Sequence, residues 1–223
     1  MKNIKTSLLT LAFLSISSLA ALSMEEKNNI NSQESKNIVT KKVVIQYAQE
    51  KYNLPININQ SRVFGNRQNN ISIASSGLPF CPPDNAIKLA VKLSFDLDEK
   101  CGKWHIVYHG TSCKGAFEIA KNGFDPNKTR QGKAYGPGIY VTPSWNIATQ
   151  WTCDDVKTND GQVFGTVLQC RVRPGSFKAY PLTWKNPPVP IEIDSNTCEL
   201  VVQKPEDIVV YGILFKKDPH KIN

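Results

Sequence analysis

The clearest pattern of hydrophobic and polar positions lies in the second half of the chain. Residues 104–110 (WHIVYHG) alternate with a period of two, which predicts a strand with one buried face. The strand ends at His109-Gly110, which places an imidazole beside an unhindered backbone. Further strand-like segments follow at 139–142, 162–175, 176–180, 198–203 and 207–216.

Helical signals are concentrated earlier. An amphipathic helix is predicted over 40–51, and a second one over 84–93 with Asp84 as its N-cap. Ser112 caps a third helix that ends at Gly123, and Thr142 with Pro143 starts a fourth over 143–151. Residues 54–83 are predicted to be irregular, with at most one short strand. Early helices and late strands favour an α+β fold over alternating βαβ units.

The N-terminus has the pattern of a secretory signal peptide. Lys2 and Lys5 precede an apolar stretch, and Ala21-Leu22-Ser23 offers a small-residue cleavage site. The apolar run is short for a membrane span. Cleavage after Ser23 would lower the formal net charge from +8 to about +6. Residues 24–39 are polar, without apolar periodicity, and are predicted to be a disordered linker.

The six cysteines are interpreted through this predicted export. In an oxidising compartment an even number permits up to three disulfides, although the sequence leaves the pairing open. Cys101, His105, His109 and Cys113 recur every four residues, a spacing that suggests zinc ligands. A helix would spread these four over about 18 Å, and the strand pattern excludes a helix there. No metal site is predicted.

The segments "YHGTS", "IAKNGF", "YGPGIYVTPSWNIATQW", "CELVV" and "DIVVYGILF" occur in this order along the chain. Together they resemble the catalytic region of the poly(ADP-ribose) polymerase-like ADP-ribosyltransferases. The resemblance implies an ADP-ribosyltransferase-like split antiparallel β-sheet with flanking helices over residues 104–217. Residues 40–103 then form an N-terminal helical and irregular extension, and 218–223 a tail. The family's His-Tyr-Glu triad corresponds to His109, Tyr140 and Glu199.

Glu199 is the residue whose chemistry can be argued independently. Breaking the nicotinamide–ribose bond of NAD builds positive charge on the ribose, which a fixed carboxylate stabilises. Glu192 and Glu206 are rivals, but counting back from the last strand gives the family's spacing at Glu199. The alternative is that Glu199 is an edge-strand carboxylate facing water. His109 could likewise be a core histidine with satisfied hydrogen bonds.

The resemblance also implies the residues that bind NAD. His109 would hold the ribose hydroxyls, and Gly110 would let its backbone approach the nicotinamide amide. Tyr140 would stack on the nicotinamide, with Trp151 as a second wall. Core packing is the alternative for both aromatic residues. Ala148 stands where the family has a serine that bonds the nicotinamide amide.

A loop before Tyr140 carries the cations Lys128, Arg130 and Lys133. Arg130 and its neighbours are predicted to cover the NAD pyrophosphate, with a solvated loop as the alternative.

These observations predict a secreted enzyme that takes NAD as co-substrate, releases nicotinamide and transfers ADP-ribose to a protein acceptor. Export makes a toxin or effector role the natural inference. Transfer to water, which is NAD glycohydrolase activity, is one alternative. A non-catalytic module that binds NAD or ADP-ribose is another, and a disulfide-stabilised secreted domain without a ligand is a third. Nucleic acid and, after signal cleavage, stable membrane association are not expected.

Overall fold

The computed structural model describes residues 40–65, 71–128, 135–152, 155–157, 163–182, 192–193 and 198–217. Val43–Asn223 forms one compact unit; of the other unit, Met1–Lys42, the described part holds only residues 40–42. The fold is α+β with mostly antiparallel sheets. The strands are β1 (Ile56–Val63), β2 (Ser72–Ile73), β3 (Pro79–Phe80), β4 (Ala86–Val91), β5 (His105–Gly110), β6 (Ile139–Val141), β7 (Asp155–Lys157), β8 (Val163–Val172), β9 (Phe177–Pro181), β10 (Cys198–Val202) and β11 (Ile208–Lys217).

The strands form two principal sheets. In the larger sheet the order is β1-β4-β11-β8-β5, and β7 pairs with β8. In the smaller sheet the order is β6-β10-β9, so β10 is central. A short hairpin of β2 and β3 stands apart. An isolated bridge between Tyr108 and Thr142 joins the end of β6 to β5.

The helices are short and mostly capped by a side chain. They are α1 (residues 40–52), α2 (Leu97–Cys101), α3 (Cys113–Asn122) and α4 (Trp145–Ala148), with 3-10 turns at Pro126–Lys128, Thr149–Trp151 and Pro205–Asp207. Asp96 caps α2, Ser112 caps α3 and Ser144 caps α4, each accepting a backbone N–H of the first turn. Gly123 ends α3 with φ 81°, a conformation that favours glycine.

Both faces of the larger sheet are covered. On one face lies the main core, to which α1, α3 and both sheets contribute; Tyr52 stacks on Phe117 there at 4.0 Å between ring centroids. On the other face, Tyr108 and Leu214 pack with Trp145 and Ala148 of α4. Val107 and Tyr108 are therefore both fully buried, and the expectation that β5 buries one face only is wrong.

Three local predictions are corrected. Residues 84–93 contain the strand β4, not a helix, and all six β4 residues are buried between β1 and β11. Residues 54–83 contain β1, β2 and β3. The fourth helix begins after Ser144, because the Ser144 hydroxyl, rather than Thr142, accepts the N–H of Ile147.

The predicted helices at 40–51 and 113–122 are confirmed, as are the strand at 104–110 and the later ones. Because β1 and β4 belong to the larger sheet, the predicted extension and the predicted catalytic segment share one sheet.

Some predictions concern residues outside the described ranges: the signal peptide, the linker up to residue 39, Arg130, Lys133 and the tail. The five described cysteines are buried, and no disulfide joins any two of them; they are Cys81, Cys101, Cys113, Cys170 and Cys198. In the described ranges, no helix has the length and apolar character needed to cross a bilayer.

Candidate active site

The candidate site lies where the two sheets meet. The Tyr108 N–H donates to the Thr142 carbonyl at 2.7 Å, and the Thr142 N–H donates to the Tyr108 carbonyl at 2.9 Å. Because hydrogen-bonding direction alternates along an antiparallel strand, the carbonyl of Tyr140 points to β5, and the N–H and C=O of Gly110 point to the β6 side. Backbone groups of both strands thus face the junction.

The side chain of His109, on β5, contacts β6 at this junction. Its Nδ1 lies 2.7 Å from the Tyr140 carbonyl oxygen, and Phe124 contacts the imidazole edge-on at 5.2 Å between centroids. A carbonyl only accepts, so Nδ1 carries the proton and donates. In the neutral ring Nε2 is then a hydrogen-bond acceptor with a fixed orientation.

Glu199 occupies the central strand of the smaller sheet. Residue pairs Leu200–Val141 and Glu199–Tyr180 connect β10 to β6 and β9, and Glu199 is only 5% exposed. The alternative of an edge-strand carboxylate facing water is therefore wrong. The rival carboxylates Glu192 and Glu206 are both exposed. Among the three, Glu199 alone is held inside the fold.

Strand geometry puts Glu199 and Tyr140 on one face of the smaller sheet. Tyr140 is directly opposite Val201, which is two residues from Glu199, and residues two apart share a face. Burial raises the pKa of Tyr140, and the charge of Glu199 adds to this rise. Tyr180, opposite Glu199, stacks on Tyr135 at 4.2 Å between centroids. We call this surface (Tyr135, Tyr140, Tyr180, Glu199) the tyrosine face.

Tyr140 is itself firmly positioned. Its hydroxyl donates to the Gly136 carbonyl at 2.6 Å and accepts the Tyr135 N–H at 3.1 Å, and the residue is 4% exposed. Because the hydroxyl is tied to backbone, the ring's orientation is fixed by hydrogen bonds as well as by packing. In this structure the ring packs with Tyr135, Tyr180 and Val201, rather than standing free.

Trp151 and Gly110 meet at the other side of the junction. A Cβ on Gly110 would lie 2.3 Å from the Ala148 carbonyl oxygen and 2.8 Å from Trp151 Cβ. Only glycine permits this approach, which brings the half-buried Trp151 next to the end of β5. Ala148 is fully buried against Tyr108 and Trp145.

The predicted phosphate-binding cations are described only in part. Lys128 is exposed and lies 3.7 Å from Glu118 of α3. Arg130 and Lys133 fall outside the described residues, and their predicted role stays a prediction.

The structure thus places His109, Gly110 and Trp151 at the end of β5, next to Tyr140 of β6, and puts Glu199 on β10, which pairs with β6. Sequence reasoning missed Tyr180 and Tyr135. The period of two in "SFKAY" would have put Tyr180 on the same strand face as the polar residues Ser176 and Lys178. In the described part of the chain, no three His, Cys, Asp or Glu side chains are grouped to hold a metal ion.

Comparison with known proteins adds no relative. No model of a known protein family matches the chain, and no curated protein is significantly similar to it. A functional assignment therefore depends on this junction.

Proposed function

We propose that the chain is an NAD-dependent ADP-ribosyltransferase that modifies a protein acceptor. The observation that carries the proposal is the buried carboxylate of Glu199 beside Tyr140, whose carbonyl in turn fixes His109. A carboxylate enclosed by protein stabilises developing positive charge more strongly than one in water, because the surrounding dielectric is low. This is the property that cleavage of the nicotinamide–ribose bond requires.

The polar groups at the junction suit the ribose and the nicotinamide carboxamide of NAD. His109 Nε2 and the Glu199 carboxylate are both acceptors, as two ribose hydroxyls require. The N–H and C=O of Gly110 point to the same side, which matches the donor and acceptor of a carboxamide. Trp151 lies beside Gly110 and offers an aromatic surface for a planar ring. With Ala148 in place of the family's serine, the Gly110 backbone is the carboxamide's main anchor.

The order of strands supports the same proposal. A sheet β1-β4-β11-β8-β5 next to β6-β10-β9 fits the split antiparallel architecture that the family resemblance implies. The triad positions fall on β5, β6 and β10; a bridge joins β5 to the end of β6, and β10 pairs with β6. In this proposal the protein is secreted, residues 1–23 being the signal peptide, and one ADP-ribose unit is transferred to a side chain of the acceptor.

The test is incubation of the purified protein with adenylate-labelled NAD and a eukaryotic cell lysate. Free nicotinamide and protein-bound label are measured together, for the parent and for Glu199→Gln. Glu192→Gln is the matched control, since it removes the same charge from an exposed position. We expect both signals in the parent and the control, and their loss in Glu199→Gln.

Other outcomes separate the alternatives. Nicotinamide release without protein-bound label would identify an NAD glycohydrolase and contradict the transferase. Binding of NAD without either product would identify a non-catalytic module. Equal label in the parent and in Glu199→Gln would refute the assigned role of Glu199.

A further inference from the structure

A second group of charged residues lies in the larger sheet, away from the junction. It consists of Arg62 of β1, Lys88 of β4 and Arg171 of β8, on the sheet face that carries Tyr108 and Gln169. We call these five residues, with Tyr211 of β11, the basic cluster. Lys88 lies three strands from β5, or about 14 Å at ordinary strand spacing.

Lys88 is the centre of this cluster and is only 7% exposed. Its side chain crosses Gly212 on the neighbouring strand, where an added Cβ would lie 2.7 Å from Lys88 Cε. The absence of a side chain at Gly212 thus creates the space for a buried lysine. The Lys88 ammonium then lies 4.1 Å from the centroid of the Tyr211 ring.

A β-bulge brings Tyr211 into the cluster. The register of β11 against β8 shifts between Val210 and Gly212, which makes Tyr211 the extra residue. The Arg171 guanidinium carbon lies 5.7 Å from the centroid of the same ring. Lys88 and Arg171 therefore converge on one aromatic side chain.

The cations of the cluster have no carboxylate partner among the residues that the structure describes. None of Arg62, Lys88 and Arg171 forms an ion pair there; Asp98 of α2 acts electrostatically on Tyr211. Burial, together with the smaller effects of the Arg62 and Arg171 charges, lowers the pKa of Lys88 to about 7. Among the described residues, no carboxylate offsets the repulsion between Lys88 and the two guanidinium groups.

Unsatisfied polar atoms in the cluster are an independent sign of a missing partner. The Arg171 Nε is buried and has no hydrogen-bond partner among the described residues, and the buried Tyr108 hydroxyl has only the side chain of Gln169 beside it there. Tyr108 and Gln169 are fully or almost fully buried cross-strand neighbours. Burying a donor unpaired is costly, so a bound group that accepts from Arg171 Nε and from the Tyr108 hydroxyl would stabilise the fold, whereas Gln169 Oε1 is itself an acceptor and gains nothing from such a group.

We propose that the basic cluster binds a small dianionic oxyanion of the sulfate or phosphate type, either free or as the monoester of a small molecule. Lys88, Arg171 Nε and the Tyr108 hydroxyl supply donors from the interior, and the exposed Arg62 supplies charge at the rim. The depth of Lys88 limits the ligand to a compact group. This site is independent of the proposed transferase activity.

Sulfate is the probe of choice, because it keeps its double charge over the range in which Lys88 changes protonation. The purified protein is titrated calorimetrically at constant ionic strength, with chloride as the competing anion. We expect saturable binding that is about tenfold weaker at pH 8 than at pH 6, since an amine with a pKa of about 7 must be protonated to bind. The charges that act on Lys88 are those of Arg62 and Arg171, and its ammonium lies over the ring of Tyr211.

Three variants test the residues. Lys88→Met should weaken sulfate binding at pH 6 by at least about tenfold, and Arg62→Gln by about threefold. Arg62 is exposed, so Arg62→Gln remains informative if Lys88→Met does not fold. Lys100→Met is the matched control: Lys100 also lies 4.1 Å from an aromatic centroid, that of Phe95, but it is exposed.

Glycerol 3-phosphate distinguishes the two sources of the anion. If it competes with sulfate, the site accepts a monoester; if sulfate alone binds, the ligand is the free anion. Either result is consistent with the proposal. Absence of saturable sulfate binding at pH 6, or equal binding by the parent, Lys88→Met and Arg62→Gln, would overturn it.

Discussion

Glu199 and Lys88 are the two buried charges that matter most in this protein, and their surroundings differ. Glu199 is on the central strand of the smaller sheet, with tyrosine rings on its own face. Lys88 is on an inner strand of the larger sheet, beside two further cations. Glu199 lies among uncharged tyrosine side chains, whereas the two guanidinium groups near Lys88 repel its ammonium.

The difference shows two ways in which a fold can keep a charge inside. A charge among uncharged polar side chains meets no like charge and is available to a substrate. A charge with like-charged neighbours weakens the fold until a counter-ion binds. The comparison therefore predicts that Glu199 influences activity more than stability, and that Lys88 does the reverse.

Glu199→Gln tests the first half of this comparison and should have the largest effect. We expect nicotinamide release to fall by at least about 100-fold, as when one preorganised charge-stabilising group is removed. Stability should change by no more than about 1 kcal/mol, because glutamine has the same shape and retains an acceptor. Release assays and urea unfolding of the same preparation measure both. A loss of several kcal/mol with normal activity would break the comparison.

Lys88→Met tests the prediction that Lys88 influences stability, through the dependence of the free energy of unfolding on pH. In the folded state the pKa of Lys88 is about 7, against 10.5 for an ordinary lysine, so the unfolded chain binds the extra proton between these values. The cost of burying the charge is therefore full below pH 7 and disappears towards pH 10.5. Relative to Lys88→Met, the parent should gain several kcal/mol of stability over this range, at about 1.4 kcal/mol per pKa unit. Urea unfolding at pH 6, 7.5 and 9 measures the gain, and parallel curves for the two proteins would contradict it.

Gly110→Ala and Gly212→Ala sharpen the comparison at the level of packing. The added methyl at Gly110 meets the backbone oxygen of Ala148, which cannot move alone, so we expect a loss of about 1–3 kcal/mol. At Gly212 it meets the flexible end of Lys88, and the loss should stay below about 1 kcal/mol. Sulfate binding should weaken only in Gly212→Ala. Equal destabilisation by the two substitutions would show that Lys88 is as rigidly held as backbone.

Arg62→Gln should have the smallest effect. Removing this cation relieves part of the repulsion that lowers the pKa of Lys88, so the pH at which stability begins to rise should move up by a few tenths of a unit. The control is Lys100→Met, which removes a charge that does not act on Lys88. If the pH at which stability begins to rise moved by the same amount in both variants, the change would be due to net charge alone.

The elements beside the junction were largely predictable from the sequence, because their signals are local. A period of two ending in His-Gly, a serine N-cap at Ser112 and a glycine stop at Gly123 each specify structure within a few residues. The burial of Glu199 was not predictable, since "CELVV" does not reveal which strands flank it. That Tyr108 is buried depends on α4, which reaches it from 37 residues further along the chain.

The basic cluster was not predictable, and β4 explains why. The sequence "AIKLAV" after Asp84 has helical spacing and a suitable cap, and only its position between β1 and β11 makes it a strand. A lysine amid apolar residues is usually a solvated position on an amphipathic helix. Its burial depends on Gly212 and Tyr211, more than 120 positions away, and on a bulge that has no local sequence signature.

The contact between His109 and the Tyr140 carbonyl has an evolutionary consequence. The hydrogen bonds between neighbouring strands are normally made by backbone groups. Every amino acid supplies these groups, so a point mutation rarely deletes such a bond. Here the side chain of His109 makes the hydrogen bond that follows the Tyr108–Thr142 bridge between β5 and β6. One codon therefore specifies this contact between the two sheets, and a substitution of residue 109 would remove it.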